Sequence, residues 1–164
     1  MSATIPERLK HLRAEVPFDR VSIGYGSINL SKFDELQAAQ QGYSTVPEGS
    51  KTDWRDEWVV IGYEGLCGDP IFVDTSTPSF PVYTAAHGAG QWRPKQIAAT
   101  YEHFIEILRR LQLLARNRAT PAEIARHPVA KDEEEAFLAF IRAGSPNARL
   151  PFWQVLYGTD VGEG

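Results

Sequence analysis

The chain contains a single cysteine, Cys67, among 164 residues. One cysteine cannot form an internal disulfide, so the small secreted folds that depend on disulfide bridges are excluded. The N-terminal stretch "MSATIPERLKHLRAEV" lacks a continuous apolar run, and charges interrupt every longer apolar segment of the chain. A signal peptide and a membrane-spanning helix are therefore not expected. These absences favour a soluble protein in the cytoplasm.

The sequence also has no excess of basic residues. Lys and Arg number 17 against 21 Asp and Glu, which gives a formal net charge of -4. Nucleic-acid-binding domains usually present a basic face, so this balance argues against DNA or RNA as the partner. Hydrophobic residues make up 43% of the chain, and a chain of 164 residues can bury a core of ordinary size. A single domain over residues 1–164 is expected.

Short apolar segments in the first half of the chain predict β-strands. The segments "EWVVIGY" (57–63) and "PIFVDTS" (70–76) have strand length and are separated by the turn-forming "EGLCGD". Neither segment alternates between apolar and polar residues, so we expect both faces to be covered, as in central strands. Further strands are predicted within 20–30, with a bend at Gly24 and Gly26, and over 80–87, with Pro81 near the beginning.

Helical periodicity dominates the second half of the chain. A long amphipathic helix over about 95–116 is predicted by apolar residues at spacings of three and four, namely Ile97, Tyr101, Phe104, Ile105, Leu108, Leu111 and Leu114. Two shorter helices are predicted, with Thr120 and Asp132 as their N-terminal caps. The aromatic tail at 148–158 is expected to pack against the rest of the domain.

Two more helices are predicted in the first half. One covers 4–16, with a capping box formed by Thr4 and Glu7. The other covers 31–41, with Ser31 as its cap and Phe33, Leu36 and Gln40 on one side, and a surface loop follows at 42–55. Because strands and helices are segregated along the chain, we predict an α+β fold, mainly an antiparallel sheet packed against helices.

Cys67 is the first candidate for chemistry. A catalytic thiol needs a base or a positive environment, whereas the nearest charged residues are Glu64 and Asp69, both of which would raise the pKa of the thiol. We therefore interpret Cys67 as a small buried residue that fills space between two strands. A cysteine-dependent enzyme that uses Cys67 with a distant histidine is the alternative.

Metal and acid–base sites have little support in the sequence. No two histidines have ligand spacing, since they stand at positions His11, His87, His103 and His127. Asp69 and Asp74 are five residues apart, which predicts opposite faces of a strand and a separation of about 16 Å. Asp69 precedes a proline within a turn, where aspartate commonly binds local backbone amides. No metal or cofactor is expected.

Acidic and basic residues are unevenly distributed along the chain. Between Asp34 and Asp74 there are nine acidic and two basic residues, a net charge of -7 in a chain of -4. This stretch is either a solvated face or a docking surface for a basic partner, and its tryptophans could be either core residues or interface contacts. The candidate partner-binding residues are Asp53, Trp54, Asp56, Glu57 and Glu64.

The order of several segments resembles the SUKH superfamily, named for bacterial Syd-like proteins and yeast cell-wall regulators of the Smi/Knr type. The segments that carry the resemblance are "INLSKFDEL", "WVVIGYEG", "CGDPIFVDT", "PVYTAAHG" and "QWRPKQIAATYEHFIEIL". They span about 21–111, while the predicted C-terminal helices over 120–158 lie outside this best-matched part. The N-terminal entry motif and the Asn-Gly-Gly turn of the family are not found here. The positions that match the family's fold markers are Gly68, Asp69, Asp74 and Trp92.

The resemblance implies an α+β domain without catalytic apparatus that acts by binding a protein. Bacterial members of the superfamily are mostly immunity proteins, which neutralise toxins delivered between competing cells. An immunity protein with a toxin domain as its partner is therefore the function that the resemblance implies. A regulatory or scaffold domain similar to the yeast members is the alternative within the same class.

Overall fold

Six β-strands, each antiparallel to its neighbours, follow one another across a single sheet in chain order. The computed structural model describes residues 4–41, 43, 53–86 and 91–158. The strands are β1 (Arg20–Ile23), β2 (Gly26–Leu30), β3 (Trp58–Glu64), β4 (Pro70–Asp74), β5 (Val82–Thr84) and β6 (Lys95–Ala98). Most of the loop predicted at 42–55, and His87 at the end of the strand predicted over 80–87, lie outside the described residues.

The helices of the described residues are α1 (Glu7–Ala14), α2 (Tyr101–Leu114), α3 (Pro121–Arg126), α4 (Lys131–Gly144) and α5 (Leu150–Tyr157). Helix α2 packs on β1 and β6, α5 packs on β2, and α4 packs on α2. The sheet with helices packed against it confirms the predicted α+β class. Within the described part of the chain, no helix combines the length and the apolar character that crossing a bilayer requires.

The central strands contribute to two separate hydrophobic clusters. Val59 and Ile61 of β3 belong to the large core beneath the helices, whereas Trp58 and Val60 belong to a smaller cluster. In β4, likewise, Ile71 joins the large core and Phe72 the smaller cluster. Because successive side chains of a strand point to opposite faces, the two clusters lie on opposite faces of the sheet. The prediction that both faces of these strands are covered is confirmed.

The prediction of a helix over 31–41 is wrong. The structure has two short 3-10 turns, Phe33–Glu35 and Ala38–Gln40, and Phe33 is exposed. The side-chain Nε2 of Gln40 donates to the carbonyl of Leu36, which in an α-helix would accept the backbone N–H of Gln40. The same side chain also binds the backbone N–H and carbonyl of Val60 in β3, a contact that replaces the helical pattern.

The helix predicted over 95–116 begins too early, because residues Lys95–Ala98 form β6. Helix α2 starts at Tyr101, after Thr100, whose side chain accepts the backbone N–H of His103. The carbonyl of Ile97 in β6 accepts the indole N–H of Trp153 at 3.0 Å. The strand is thus stabilised by a partner far away in sequence.

The predicted helix caps have mixed outcomes. Thr120 accepts the N–H of Glu123, as predicted. Helix α1 begins after Pro6 without a side-chain cap, so the predicted Thr4 capping box is wrong. Helix α4 begins after Ala130, two residues before the predicted cap Asp132. The carboxylate of Glu133 accepts the N–H of Ala130 and pairs with Arg118, which fixes the earlier start.

Candidate functional site

The turn between β3 and β4 is organised by one buried carboxylate. Glu64 is 6% exposed, and its two oxygens accept the backbone N–H groups of Leu66, Cys67 and Asp69 at 2.7, 2.9 and 3.0 Å. Gly68 has a φ of 78°, a region that glycine enters without the strain of a side chain. Glu64 thus satisfies the amides of the turn, the role that the sequence had suggested for Asp69.

Cys67 is exposed, so its interpretation as a buried space-filling residue is wrong. The local turn places its side chain outside the sheet. Desolvation raises the pKa of the thiol, and the carboxylates of Glu64 and Asp69 raise it further. The predicted effect of these two carboxylates is confirmed. A higher pKa leaves less thiolate at neutral pH, which disfavours nucleophilic chemistry.

The same turn brings together three potential metal ligands. One ligand atom each from Glu64, Cys67 and Asp69 lies within 4.8 Å of the others. The Glu64 oxygens, however, already accept three backbone N–H groups, and binding a cation there would compete with the bonds that hold the turn. The geometry is therefore explained by the turn itself.

One serine–histidine pair occurs among the described residues. The Oγ of Ser145 lies 2.6 Å from Nδ1 of His103 and also accepts the N–H of Ala99 at 2.7 Å. Ser145 is 0% exposed, so its hydroxyl cannot reach a substrate. This pair connects the end of α4 to the start of α2 and is a structural contact.

The six acidic residues of the segment 53–74 separate into two groups at opposite ends of β3. Asp53, Asp56, Glu57 and Asp74, which we call the acidic patch, lie where β3 begins and β4 ends. The pairing of Trp58 with Asp74, and the hydrogen bond from Thr75 N–H to the Glu57 carbonyl, bring them together. Glu64 and Asp69 lie at the other end, about 20 Å away along a strand of this length. The candidate Glu64 is therefore separated from the other partner-binding candidates.

The carboxylates of the acidic patch differ in whether they accept hydrogen bonds within the protein. Asp53 accepts the backbone N–H of Trp92, and Asp74 accepts the N–H of Ser76 at 2.9 Å. Asp56 is exposed and Glu57 is half-buried. Among the described residues, neither of these two carboxylates has a hydrogen bond or an ion pair. Asp56 and Glu57 are thus the two carboxylates of the patch that no described residue engages.

An aromatic cluster lies beneath the acidic patch. Trp54 is at its centre, with ring centroids 5.2 Å from Trp58, 4.6 Å from Phe72, 5.2 Å from Trp92 and 4.9 Å from Tyr43. The indole N–H of Trp54 donates to the carbonyl of Trp58. Only 7% of Trp54 is exposed, so of its two possible roles the structure shows the core one. Trp54 and Trp58, which flank the carboxylates Asp56 and Glu57 in the chain, are thus both packed in this cluster.

Sequence reasoning missed the role of Gln40. Its side chain is buried, and its Nε2 and Oε1 pair with the carbonyl and the N–H of Val60, each at 2.7 Å. The register of β3 on β4 shifts between Val60 and Gly62, and Gln40 takes the place of a strand neighbour there. A polar residue on the apolar side of 31–41 was the only signal in the sequence.

Comparison of the chain with protein-family models, with curated proteins and with solved structures found no match.

Proposed function

We propose that this protein is a non-catalytic cytoplasmic binding domain that neutralises a bacterial toxin by docking its acidic patch on a basic surface of the toxin. The observation that carries the proposal is the pair Asp56 and Glu57, two carboxylates with no hydrogen bond or ion pair to any described residue, beside a packed aromatic cluster. Opposite charges on two surfaces accelerate encounter and select the partner. The proposal does not require chemistry from this chain.

The aromatic cluster supports the proposal because it reduces the ordering cost of binding. A surface that is already held in its bound geometry loses little conformational entropy on association. Trp54 and Trp92 pack against each other, and Asp53 ties the backbone of Trp92 to the loop before β3. The residues on both sides of Asp56, namely Trp54 and Trp58, are thus anchored by packing in the cluster.

The toxin as partner rests on the resemblance to the SUKH superfamily. The six-stranded antiparallel sheet followed by helix α2 agrees with the α+β architecture that this resemblance implies. A regulatory or scaffold domain would use the same kind of surface with a different partner. Gene position separates the two: a polymorphic toxin gene directly upstream favours immunity, and its absence favours regulation.

The direct test is a growth assay in a bacterial host that carries the adjacent toxin gene under an inducible promoter. We expect co-expression of this protein to restore growth. Co-expression of an Asp56→Lys/Glu57→Lys variant is expected to give little protection. If neither the wild type nor the variant restores growth, the toxin is refuted as the partner. If the wild type and the variant protect equally, the acidic patch is refuted as the docking surface.

A further inference from the structure

A cavity lies at the end of the sheet where β4 and β6 begin and β5 ends. Its walls come from these strand ends, from the β3–β4 turn and from the start of α5. The cavity has a volume of about 340 Å³. Sites for small molecules typically have volumes of about 300–1,000 Å³, so this cavity has room for a small ligand.

Strand pairing and one backbone hydrogen bond bring two cationic side chains to this cavity. Lys95 pairs directly with Thr84, so their side chains lie on the same face of the sheet. Thr84 also pairs with Ile71 of the large core, which identifies this face as the one that the helices cover. The backbone N–H of Arg149, directly before α5, donates to the carbonyl of Gln96 at 2.9 Å. Helix α5 therefore begins beside Lys95, and both Lys95 and Arg149 line the cavity.

The charged groups of the cavity favour an anion. Lys95 and Arg149 are exposed, and neither side chain has a hydrogen bond or an ion pair with a described residue. Of the described residues that line the cavity, Asp69 alone is acidic, so their formal charge is +1. A cavity of this sign attracts anions, and a single negative charge on the ligand would balance it.

The other walls of the cavity are apolar. Pro151 and Phe152, in the first turn of α5, form one side, and Ala85 and Ala86 after β5 form another. The ring of Phe152 is half-buried and packs edge-on against Trp153, with the centroids 5.0 Å apart. An inorganic anion would leave these walls in contact with water, whereas an organic anion would cover them with its apolar part.

We propose that this cavity binds a small organic monocarboxylate, whose carboxylate is held by Lys95 and Arg149 while its apolar part packs against Pro151 and Phe152. A guanidinium can donate two parallel hydrogen bonds to one carboxylate, and a lysine adds a compact positive charge. Strand β4 begins at this cavity and ends at the acidic patch, so the two sites lie at opposite ends of the strand. The inference therefore does not rest on the proposed toxin partner.

The test is a titration of the isotope-labelled full chain, followed by heteronuclear NMR, with phenylacetate, phenylacetamide and inorganic phosphate in turn. Phenylacetate is expected to cause saturable shifts of the amide signals of Lys95, Arg149 and Phe152. Phenylacetamide has the same apolar part without the charge, and phosphate has the charge without the apolar part. Each of these two is therefore expected to bind about tenfold or more weakly than phenylacetate.

A pair of double variants identifies the groups that hold the carboxylate. Lys95→Gln/Arg149→Gln removes both cations and is expected to weaken phenylacetate binding about tenfold or more. Arg126→Gln/Arg142→Gln removes the same charge at two exposed positions outside the cavity, and this control is expected to bind as the wild type does. The same spectra verify that each variant is folded.

Three results would overturn the proposal. The first is the absence of saturable shifts with phenylacetate, or shifts only at residues remote from the cavity. The second is binding of phenylacetamide or phosphate as tight as that of phenylacetate. The third is a Lys95→Gln/Arg149→Gln protein that binds phenylacetate as the control variant does.

Discussion

At the residue scale, Glu64 determines the hydrogen bonding of the β3–β4 turn and the environment of its thiol. The segment from Glu64 to Asp69 combines carboxylates, a thiol and glycines, a composition that many active sites share. In the structure, the buried carboxylate binds three amides of its own turn and thereby places Cys67 at the surface between two negative charges. The charges that favour the turn thus oppose formation of the thiolate.

Replacement of Glu64 by glutamine is expected to destabilise the protein. Only one side-chain oxygen of the amide accepts hydrogen bonds, and its NH₂ group would face backbone donors. We expect the free energy of unfolding to fall by about 1–3 kcal/mol, because bonds to a charged acceptor are lost inside the protein. Urea unfolding measures this change, and Glu57→Gln is the control, for which we expect almost no effect. Equal stability of the two variants would contradict the role given to Glu64.

The reactivity of Cys67 should be low at neutral pH. Because desolvation and the carboxylates of Glu64 and Asp69 raise its pKa, alkylation by iodoacetamide should be slower than in the urea-unfolded chain and should increase only at higher pH. Asp69→Asn removes one of the opposing charges and should shift the rate profile to lower pH, whereas Asp56→Asn should not. A folded-state rate above that of the unfolded chain would instead favour the cysteine-dependent enzyme, which Cys67→Ser would then inactivate.

At the scale of elements, the sheet is completed by side chains that replace missing strand partners. Gln40 binds both backbone groups of Val60 where the register of β3 shifts, and Trp153 binds the carbonyl of Ile97, which has no paired residue in β5. Buried backbone polar groups need such partners, because an unpaired group carries a desolvation cost. Gln40 in the segment 31–41 and Trp153 in helix α5 therefore take part in the hydrogen bonding of the sheet.

Gln40→Met keeps the size of the side chain and removes both of its hydrogen-bonding groups. The N–H and carbonyl of Val60 would then lack these buried partners, so we expect the free energy of unfolding to fall by about 2–4 kcal/mol. Thermal and urea denaturation both report this loss. Gln37→Met, an exposed position in the same segment, is the control and should change stability little. A Gln40→Met protein as stable as this control would refute the pairing of Gln40 with β3.

The same elements show what the sequence could and could not predict. Strands β3 and β4 were found because unbroken apolar runs of strand length reflect burial on both faces. The predicted start of α2 is wrong because Ile97 fits the helical period, although its neighbours Gln96 and Ala98 pair with β5 and its carbonyl binds Trp153. The sequence also did not predict that the acidic residues form two separate groups. Residues that are close along the chain can be far apart in space, and β3 places Glu64 at the opposite end of the strand from the acidic patch. Local patterns predicted the local elements, whereas contacts between distant residues decided the site.

At the scale of the whole molecule, the two faces of the sheet are covered by different parts of the chain. The helices cover one face, while the aromatic cluster covers the other and lies beside the acidic patch. The patch proposed for partner binding is therefore associated with the aromatic cluster and not with the helices.

The most direct test of partner binding is calorimetric titration of the adjacent gene's toxin domain with three forms of the protein, at low and at physiological salt. The forms are the wild type, Asp56→Lys/Glu57→Lys, and the control Asp132→Lys/Glu135→Lys, which reverses two exposed charges on α4. We predict that the patch variant binds about tenfold or more weakly and loses most of the salt dependence, while the control binds as the wild type does. Equal affinity and equal salt dependence of all three forms would contradict the acidic patch as the binding surface.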